Sequence, residues 1–181
     1  MRLPATLRAM KQERENFQDV DSPIGRLRLI ARGDELTGIW FEHGRDARKA
    51  REHDDTGMVP QTSPVLERAK LQLAEYFRGE RQDFDLPLAP AGTDFQRRVW
   101  QRLREIRYGS TTTYGALAQE LGNPNASRAV GLANGSNPIP IVIPCHRVIG
   151  ANGGLTGFGG GLPTKSALLE LEGAQRQPRL L

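Results

Sequence analysis

The residues of this chain best suited to chemistry are the four at positions 144–147, Pro-Cys-His-Arg. Cys145 is the only cysteine among 181 residues, so it has no disulfide partner within the chain. Thiolate is the reactive form of cysteine, and a neighbouring imidazole and guanidinium favour it. A single cysteine after an apolar run is also commonly an inert core residue. His146 and Arg147 argue against that alternative, because burying both without a purpose would be costly.

Other kinds of site are poorly supported. A single cysteine excludes a cysteine-rich zinc cluster, and His43, His53 and His146 lack the spacing of a zinc pair. The glycine-rich segment 151–161 lacks the Lys-Ser/Thr ending of a phosphate-binding loop. Its glycines favour instead a backbone that wraps closely around a flat ligand. We therefore expect neither a metal nor a cofactor.

Composition and charge narrow the class of protein. No apolar run is long enough for a membrane span, and the N-terminus lacks the apolar core of a signal peptide. One unpaired cysteine fits a reducing compartment, so we expect a cytoplasmic protein. Residues 1–91 carry 15 Lys/Arg and 16 Asp/Glu, whereas residues 92–181 carry 10 and 5. All but one of those ten cations are arginine, which suits phosphate, although an ordinary solvated basic face gives the same count.

The first half of the chain predicts a small α/β domain over residues 21–88. Residues 1–20 are polar and charged, and we expect a flexible extension there. Alternation over 25–31 and 36–41, with a turn between them, predicts a β-hairpin. A charged loop is expected over 43–62. Ser63-Pro64 then begins a helix that ends near Gly79.

The second half, residues 89–181, begins within a Pro-rich linker at 86–92. Thr93 and Gln96 form a capping-box pattern, and Trp100 is expected in the core. Two short helices, joined by a turn at residues 123–126, predict a helix-turn-helix. Small residues on the second helix allow close approach either to a packed helix or to a nucleic-acid groove. Arg128, at its exposed start, is harder to explain by packing. A last helix is expected from about Thr164 to Glu172.

Three segments together, 127–131, 134–138 and 144–148, resemble the O6-alkylguanine-DNA alkyltransferases, also called methylated-DNA–protein-cysteine methyltransferases. The resemblance is specific over residues 93–172, weaker over 20–90, and closest to the bacterial single-polypeptide form. It implies an α/β N-terminal domain with a ribonuclease-H-like sheet. It also implies a mostly α C-terminal domain, winged-helix-like, that holds the helix-turn-helix and the reactive site.

The resemblance implies DNA repair by a single, irreversible transfer of a methyl or alkyl group from O6 of guanine to Cys145. It leaves open whether O4 of thymine, or larger alkyl groups, are accepted. His146 would take the thiol proton through a bridging water, and Glu172 would orient the imidazole. Asn137 would brace the active-site turn, and Tyr114 would protonate the departing guanine. Without the resemblance, Glu172 would be an exposed helix-end residue and Tyr114 a core residue.

The implied partner is double-stranded DNA, entered from the minor groove by a protein that is monomeric in solution. Arg128 would fill the gap left by the extruded base. The remaining implied DNA contacts are Tyr114, Ser127, Ala129, Gly131 and Ala133. The implied substrate pocket consists of Pro140, Val148, Phe158 and Gly159. Phe158 stands where relatives often have tyrosine and Gly159 where some have serine, which leaves the preference among alkyl groups open.

Two other functions compete with alkyl transfer. One is a non-catalytic protein that binds alkylated DNA, but such proteins lack the acceptor cysteine that is present here. The other is an unrelated Cys-His hydrolase. That activity needs an oxyanion hole, which nothing in the sequence specifies, and it would leave the helix-turn-helix without a role.

Overall fold

The computed structural model describes residues 14–45, 47 and 57–174, which form a sheet-based N-terminal unit and a helical C-terminal unit. The N-terminal elements are β1 (Asn16–Val20), β2 (Leu27–Arg32), β3 (Glu35–Phe41), β4 (Val59–Pro60) and α1 (Pro64–Phe77). The C-terminal elements are α2 (Asp94–Leu103), β5 (Thr112–Thr113), α3 (Tyr114–Glu120), α4 (Ser127–Gly135), β6 (Val148–Ile149) and α5 (Leu162–Leu171). Short 3-10 helices cover Pro124–Ala126 and Cys145–Arg147.

The N-terminal sheet has the strand order β3-β2-β1-β4. The predicted hairpin is confirmed: β2 and β3 pair antiparallel, and Gly33 adopts a φ of 57° in the turn between them. Leu27 and Leu29 alternate with polar residues and are fully buried. The apolar face of α1, including Leu66, covers this side of the sheet. The buried leucines of β2 and the apolar face of α1 thus meet in one core.

Two expectations for the N-terminal half are wrong in part. Residues 1–20 are not all an extension, because Asn16–Val20 pairs with β2 along its whole length and Val20 faces the core. Residues 43–62 are not all loop, because Val59–Pro60 adds a short parallel edge to β1. Both segments become strands through pairing, β1 with β2 and β4 with β1, which their own polarity does not reveal. Residues 1–13, 46 and 48–56 lie outside the described ranges.

The predicted linker at 86–92 is tied to the sheet. Leu36 N–H donates to Pro87 O at 2.9 Å, and Ala89 N–H donates to Leu36 O at 2.9 Å. These bonds cover part of the open edge of β3, where unpaired backbone groups would otherwise face solvent. The connection between the two units is therefore fixed at its N-terminal end.

The C-terminal unit is built around the predicted helix-turn-helix. The capping box is confirmed: Thr93 Oγ1 accepts from Gln96 N–H, while the Gln96 side chain accepts from Thr93 N–H. Trp100 is buried, as expected, and its Nε1–H donates to Ala133 O at 2.8 Å, which locks α2 against α4. Thr113 caps α3 through Ala116 N–H. In the described ranges no helix is long and apolar enough to cross a bilayer.

Contacts between the two units converge on the region around Cys145. Ile39 N–H, on β3, donates to Pro138 O at 2.9 Å. His43 Nε2 lies 3.0 Å from Thr164 Oγ1 on α5. One buried cluster contains core residues of both units. The N-terminal unit therefore helps to position the reactive segment of the C-terminal unit.

Candidate active site

Cys145 lies at the start of the 3-10 helix Cys145–Arg147. The turn before it contains Ile141, whose φ of 74° is the only positive φ of a non-glycine residue in the described ranges. Asn137 braces this turn on both sides. Its Nδ2 donates to Ile143 O at 2.8 Å, and its Oδ1 accepts from Ile139 N–H at 3.0 Å. A strained residue held by surrounding bonds next to a thiol is typical of a functional site.

Cys145 lines a cavity of about 250 Å³. Cys145 is only 4% exposed, so a reactant must enter the cavity to reach it. Pro140, Phe158 and Gly159, three of the expected pocket residues, line the same cavity. Phe158 also packs against Phe41 of β3, with ring centroids 5.4 Å apart. The cavity therefore offers one buried sulfur and an aromatic wall.

His146 and Glu172 form a fully buried pair beside this cavity. His146 Nε2 lies 2.8 Å from Glu172 Oε1. Burial lowers the pKa of His146 despite the opposing effect of Glu172, so the ring is neutral near pH 7. An ionised Glu172 requires the proton on Nε2, which leaves a lone pair on Nδ1. Nδ1 is buried and has no hydrogen-bond partner in the described structure, so Cys145 does not bond it directly.

Glu172 is the centre of a larger charged cluster. Arg147 donates to it twice, from Nε to Oε2 and from Nη2 to Oε1, both at 2.9 Å. Tyr76 of α1 donates its hydroxyl at 2.7 Å. Burial alone would raise the pKa of Glu172, but the bonds from His146 and Arg147 lower it to about 2. The carboxylate is therefore ionised whenever the protein is folded near neutral pH.

Sequence reasoning missed two members of this cluster. Arg147 was recognised only as a neighbour of the thiol, and Tyr76 only as part of a helix. The signal for Arg147 was present, because a buried guanidinium requires a buried anion and Glu172 is the acidic residue at the end of the last helix. Tyr76 carried no comparable signal, since it is separated from Glu172 by 96 positions.

Lys165, on α5, is a further buried cation that the sequence did not indicate. It is fully buried, and its Nζ donates to Val148 O at 2.6 Å and to Thr156 O at 3.0 Å. Burial lowers its pKa to about 8, opposed by the negative charge of a Cys145 thiolate. The interaction is mutual, so a charged Lys165 favours the thiolate.

No cluster of three His, Cys, Asp or Glu side chains in the described ranges could hold a metal ion.

The expectation for Val148 is not supported by this geometry. Val148 is fully buried on β6 and does not line the cavity. Its carbonyl oxygen accepts a hydrogen bond from Lys165 Nζ at 2.6 Å. The carbonyl of Cys145 accepts from Asn134 Nδ2 at 3.4 Å.

Tyr114 stands close to the site but outside the cavity wall. Its hydroxyl lies 2.8 Å from Thr156 Oγ1, and its ring packs over Gly131, where an added Cβ would be 3.7 Å away. Burial raises its pKa, the bond to Thr156 lowers it, and the charge of Cys145 raises it again. Tyr114 is therefore protonated near neutral pH and can donate a proton.

Only some of the α4 residues that are expected to contact DNA lie on its exposed side. Arg128 and Ala129 are exposed, while Ser127 and Gly131 are half-buried. Ala133 is 2% exposed and faces the core beside Trp100, so its side chain is not placed to touch DNA. Leu132, which sequence reasoning passed over, is 72% exposed and lines the cavity.

A buried thiol, a neutral imidazole held by a carboxylate and an adjoining helix-turn-helix together define a class of protein. Its members bind nucleic acid and use cysteine as a nucleophile. The cavity lies at the C-terminal end of α4, where Asn134, Gly135 and Ser136 contribute to its wall. The cavity that contains the thiol therefore adjoins the second helix of the helix-turn-helix.

Comparison with known proteins agrees with this class. The family model described as "6-O-methylguanine DNA methyltransferase, DNA binding domain" matches residues 94–174, and its "ribonuclease-like domain" counterpart matches residues 17–90. The chain therefore belongs to the O6-methylguanine DNA methyltransferase family. Family membership confirms the expected fold class, an α/β N-terminal unit followed by a mostly helical DNA-binding unit.

Individual relatives cover nearly the whole chain. A methylated-DNA–protein-cysteine methyltransferase of Methanosarcina acetivorans is 50% identical over 154 residues, covering 85% of this chain and 96% of its own. The crystal structure of Mycobacterium tuberculosis O6-methylguanine methyltransferase superposes with a TM-score of 0.79 at 48% identity, covering 91% of this chain and 95% of that one. The M. tuberculosis protein in complex with DNA gives a TM-score of 0.79 at 46% identity, with 91% and 97% covered.

The buried pair predicts a specific loss of stability in acid. The pKa of Glu172 is about 2 in the folded protein, compared with an ordinary value of 4.5. Its contribution to the free energy of unfolding is therefore present above pH 4.5 and is lost as the pH falls towards 2. That contribution is about 3 kcal/mol. His146 also lowers the stability of the protein as the pH falls below 6.5, because its imidazole is protonated more readily in the unfolded chain than in the folded protein.

Urea unfolding between about pH 7 and about pH 3 measures this effect. We expect the free energy of unfolding to decline with falling pH, and more shallowly in Glu172→Gln. Parallel pH profiles for the two proteins would contradict the assignment of the effect to Glu172.

Proposed function

We propose that this protein repairs DNA by moving a methyl or alkyl group from O6 of guanine to Cys145, once per molecule. One observation carries the proposal: Cys145, the single cysteine of the chain, lines a cavity beside the buried His146–Glu172 pair. The DNA complex of the M. tuberculosis relative supports DNA as the partner. No cofactor is needed, because the thiolate alone supplies the electron pair.

The reaction is a displacement at carbon. Nδ1 of His146 accepts the thiol proton through a water, since no direct bond joins the two side chains. The thiolate attacks the alkyl carbon, a carbon–sulfur bond forms and the carbon–O6 bond breaks. The bonding electrons leave with the purine. A thioether has no good leaving group, so the protein is consumed in one turnover.

The departing guanine needs a proton, and Tyr114 is the proposed donor. Its raised pKa keeps the hydroxyl protonated until negative charge develops on the purine. Pro140 and Phe158 would enclose the ring of the base, while the backbone N–H of Gly159 is available to O6. Position 159 is glycine, so no serine hydroxyl is present there, and this affects which alkyl groups fit. Larger alkyl groups and O4-methylthymine are candidate substrates.

The base must leave the duplex, because Cys145 is almost fully buried. We propose that α4 lies in the minor groove and that Arg128 fills the gap in the base stack. Exposed Ala129 and half-buried Ser127 and Gly131 present little bulk there, which suits a narrow groove and gives little sequence readout. We further propose that the protein works as a monomer in the cytoplasm, where its thiol stays reduced.

Stoichiometry tests this function. An oligonucleotide duplex with one O6-methylguanine is incubated with limiting protein, and the remaining O6-methylguanine is measured by chromatography. We expect one base repaired per protein molecule and no further turnover. Binding without loss of O6-methylguanine would favour the alternative, a non-catalytic protein that recognises alkylated DNA. Continued turnover would exclude a suicide mechanism.

Arg128→Ala is expected to slow repair of duplex DNA by ~10-fold or more, because nothing then replaces the extruded base in the stack. Transfer from free O6-benzylguanine should change much less, since a free base needs no extrusion. Arg104→Ala is the matched control, an exposed arginine of the same unit outside the helix-turn-helix. Equal slowing of both reactions would reject the role of Arg128.

A further inference from the structure

Arg45 reaches the catalytic cavity from the N-terminal unit, a part of the chain to which no DNA contact has been assigned above. It lines the same cavity as Cys145. Its Nη1 lies 4.0 Å from the position of a Cβ added to Gly135, at the end of α4, and its Nη2 lies 3.9 Å from that of Gly157. The guanidinium therefore sits between the helix-turn-helix and the loop that carries Phe158.

The backbone fixes this position. Arg45 N–H donates to Gly159 O at 3.0 Å. Gly44 has a φ of 73°, and a Cβ there would lie 2.5 Å from the same carbonyl oxygen. Glycine is thus required at position 44 both for the dihedral angle and for the close approach. The backbone of Arg45 is therefore fixed against the loop that carries Phe158, and its side chain starts from that fixed point.

The guanidinium of Arg45 has no protein counter-charge in the described structure. No side-chain hydrogen bond or ion pair joins it to any residue of 14–45, 47 or 57–174, and the residue is exposed. Other exposed arginines of the same unit are paired, such as Arg32 with Glu15 and Arg78 with Glu80. A guanidinium without a counter-charge, at the mouth of a cavity, is well suited to bind a phosphate group through two parallel hydrogen bonds.

A phosphate would arrive there with the substrate. When a base enters the cavity, its deoxyribose and the flanking phosphates stay at the mouth, because they remain joined to the strand. Leu132 on α4 and Arg45 line the cavity and are both exposed, which places them at its mouth. The described residues that line this cavity include no cation other than Arg45.

We propose that Arg45 binds a backbone phosphate next to the extruded nucleotide, so that the N-terminal unit takes part in holding the damaged strand. This inference rests on the proposed function. Arg45 here contributes to binding of DNA and has no part in bond breaking. The substrate class it selects is a nucleotide within a strand, in preference to a free base.

The test compares two substrates in wild type, Arg45→Ala and Arg45→Lys. The second-order rate of transfer is measured with an O6-methylguanine duplex over a range of salt and with free O6-benzylguanine. For Arg45→Ala we expect the duplex rate to fall ~5-fold at low salt, and the slope of log rate against log salt to decrease by about 1. The free-base rate should fall far less, and Arg45→Lys should recover part of the duplex rate because it restores the charge.

Arg78→Ala serves as the matched control, since it removes one exposed arginine of the same unit away from the cavity. An unchanged duplex rate and salt slope in Arg45→Ala would overturn the proposal, as would equal slowing with duplex and free base. Failure of the proposed function is distinguishable, because wild type would then alkylate Cys145 with neither substrate.

Discussion

Glu172→Ala is expected to lower the free energy of unfolding by about 3 to 5 kcal/mol, because it leaves a buried cation without its anion. Arg147 is 4% exposed and makes two of its hydrogen bonds to this carboxylate. Tyr76 and His146 lose their bonds to it at the same time. Urea unfolding at neutral pH, followed by circular dichroism, measures the loss.

Glu170→Ala is the matched control for this prediction. Glu170 lies two residues earlier on α5, is exposed, and bonds Ser166 Oγ. Its removal should change stability by less than about 0.5 kcal/mol. The double variant Arg147→Met/Glu172→Met should be more stable than Glu172→Ala, since it removes both charges. A loss below about 1 kcal/mol for Glu172→Ala would show that Glu172 is not the buried centre of the cluster.

His146→Gln is expected to slow alkyl transfer by about 10²-fold or more at pH 7, because the amide cannot take the thiol proton. In wild type, the lowered pKa of His146 keeps the ring neutral and basic at Nδ1 near pH 7. The wild-type rate should therefore hold steady as pH rises above neutral. The variant rate should rise with pH, because hydroxide replaces the imidazole as proton acceptor.

His43→Gln provides the control for that experiment. His43 is exposed and bonds Thr164, but it does not line the cavity. Its substitution should leave both the transfer rate and its pH dependence close to wild type. If His146→Gln instead slowed the reaction equally at every pH, His146 would be a structural residue and the proton would leave by another route.

Elements with local signals could be predicted from the sequence. The capping box at Thr93 and the hairpin around Gly33 depend on residues a few positions apart, and both form as expected. The helix-turn-helix follows from two short periodic segments and the turn between them. Cys145 and His146 were identifiable because their chemistry is unusual in a core.

Features that depend on contacts outside the segment itself were not predictable in this way. β1 looks polar in isolation, and its strand character comes from pairing with β2 and β4. Lys165 has the composition of a surface residue, and only the fold shows that its ammonium group bonds Val148 O and Thr156 O. Arg45 gained its place at the cavity from a loop that contacts Gly159, more than one hundred positions away.

The small residues of α4 show how one pattern can serve two purposes. Gly131 allows Tyr114 to approach, and Ala133 fills the core beside Trp100. Ala129 is exposed beside Arg128. The sequence left packing and groove binding as alternatives, and the structure assigns different residues of the same helix to the core and to the surface.

The most direct test of the central claim is to locate the transferred group. The protein is incubated with a duplex containing O6-methylguanine, digested, and its peptides are analysed by mass spectrometry. The account predicts one methyl group on the sulfur of Cys145 and on no other residue, with none acquired by Cys145→Ala. A methyl group on a different side chain, or loss of O6-methylguanine in the presence of Cys145→Ala, would contradict it.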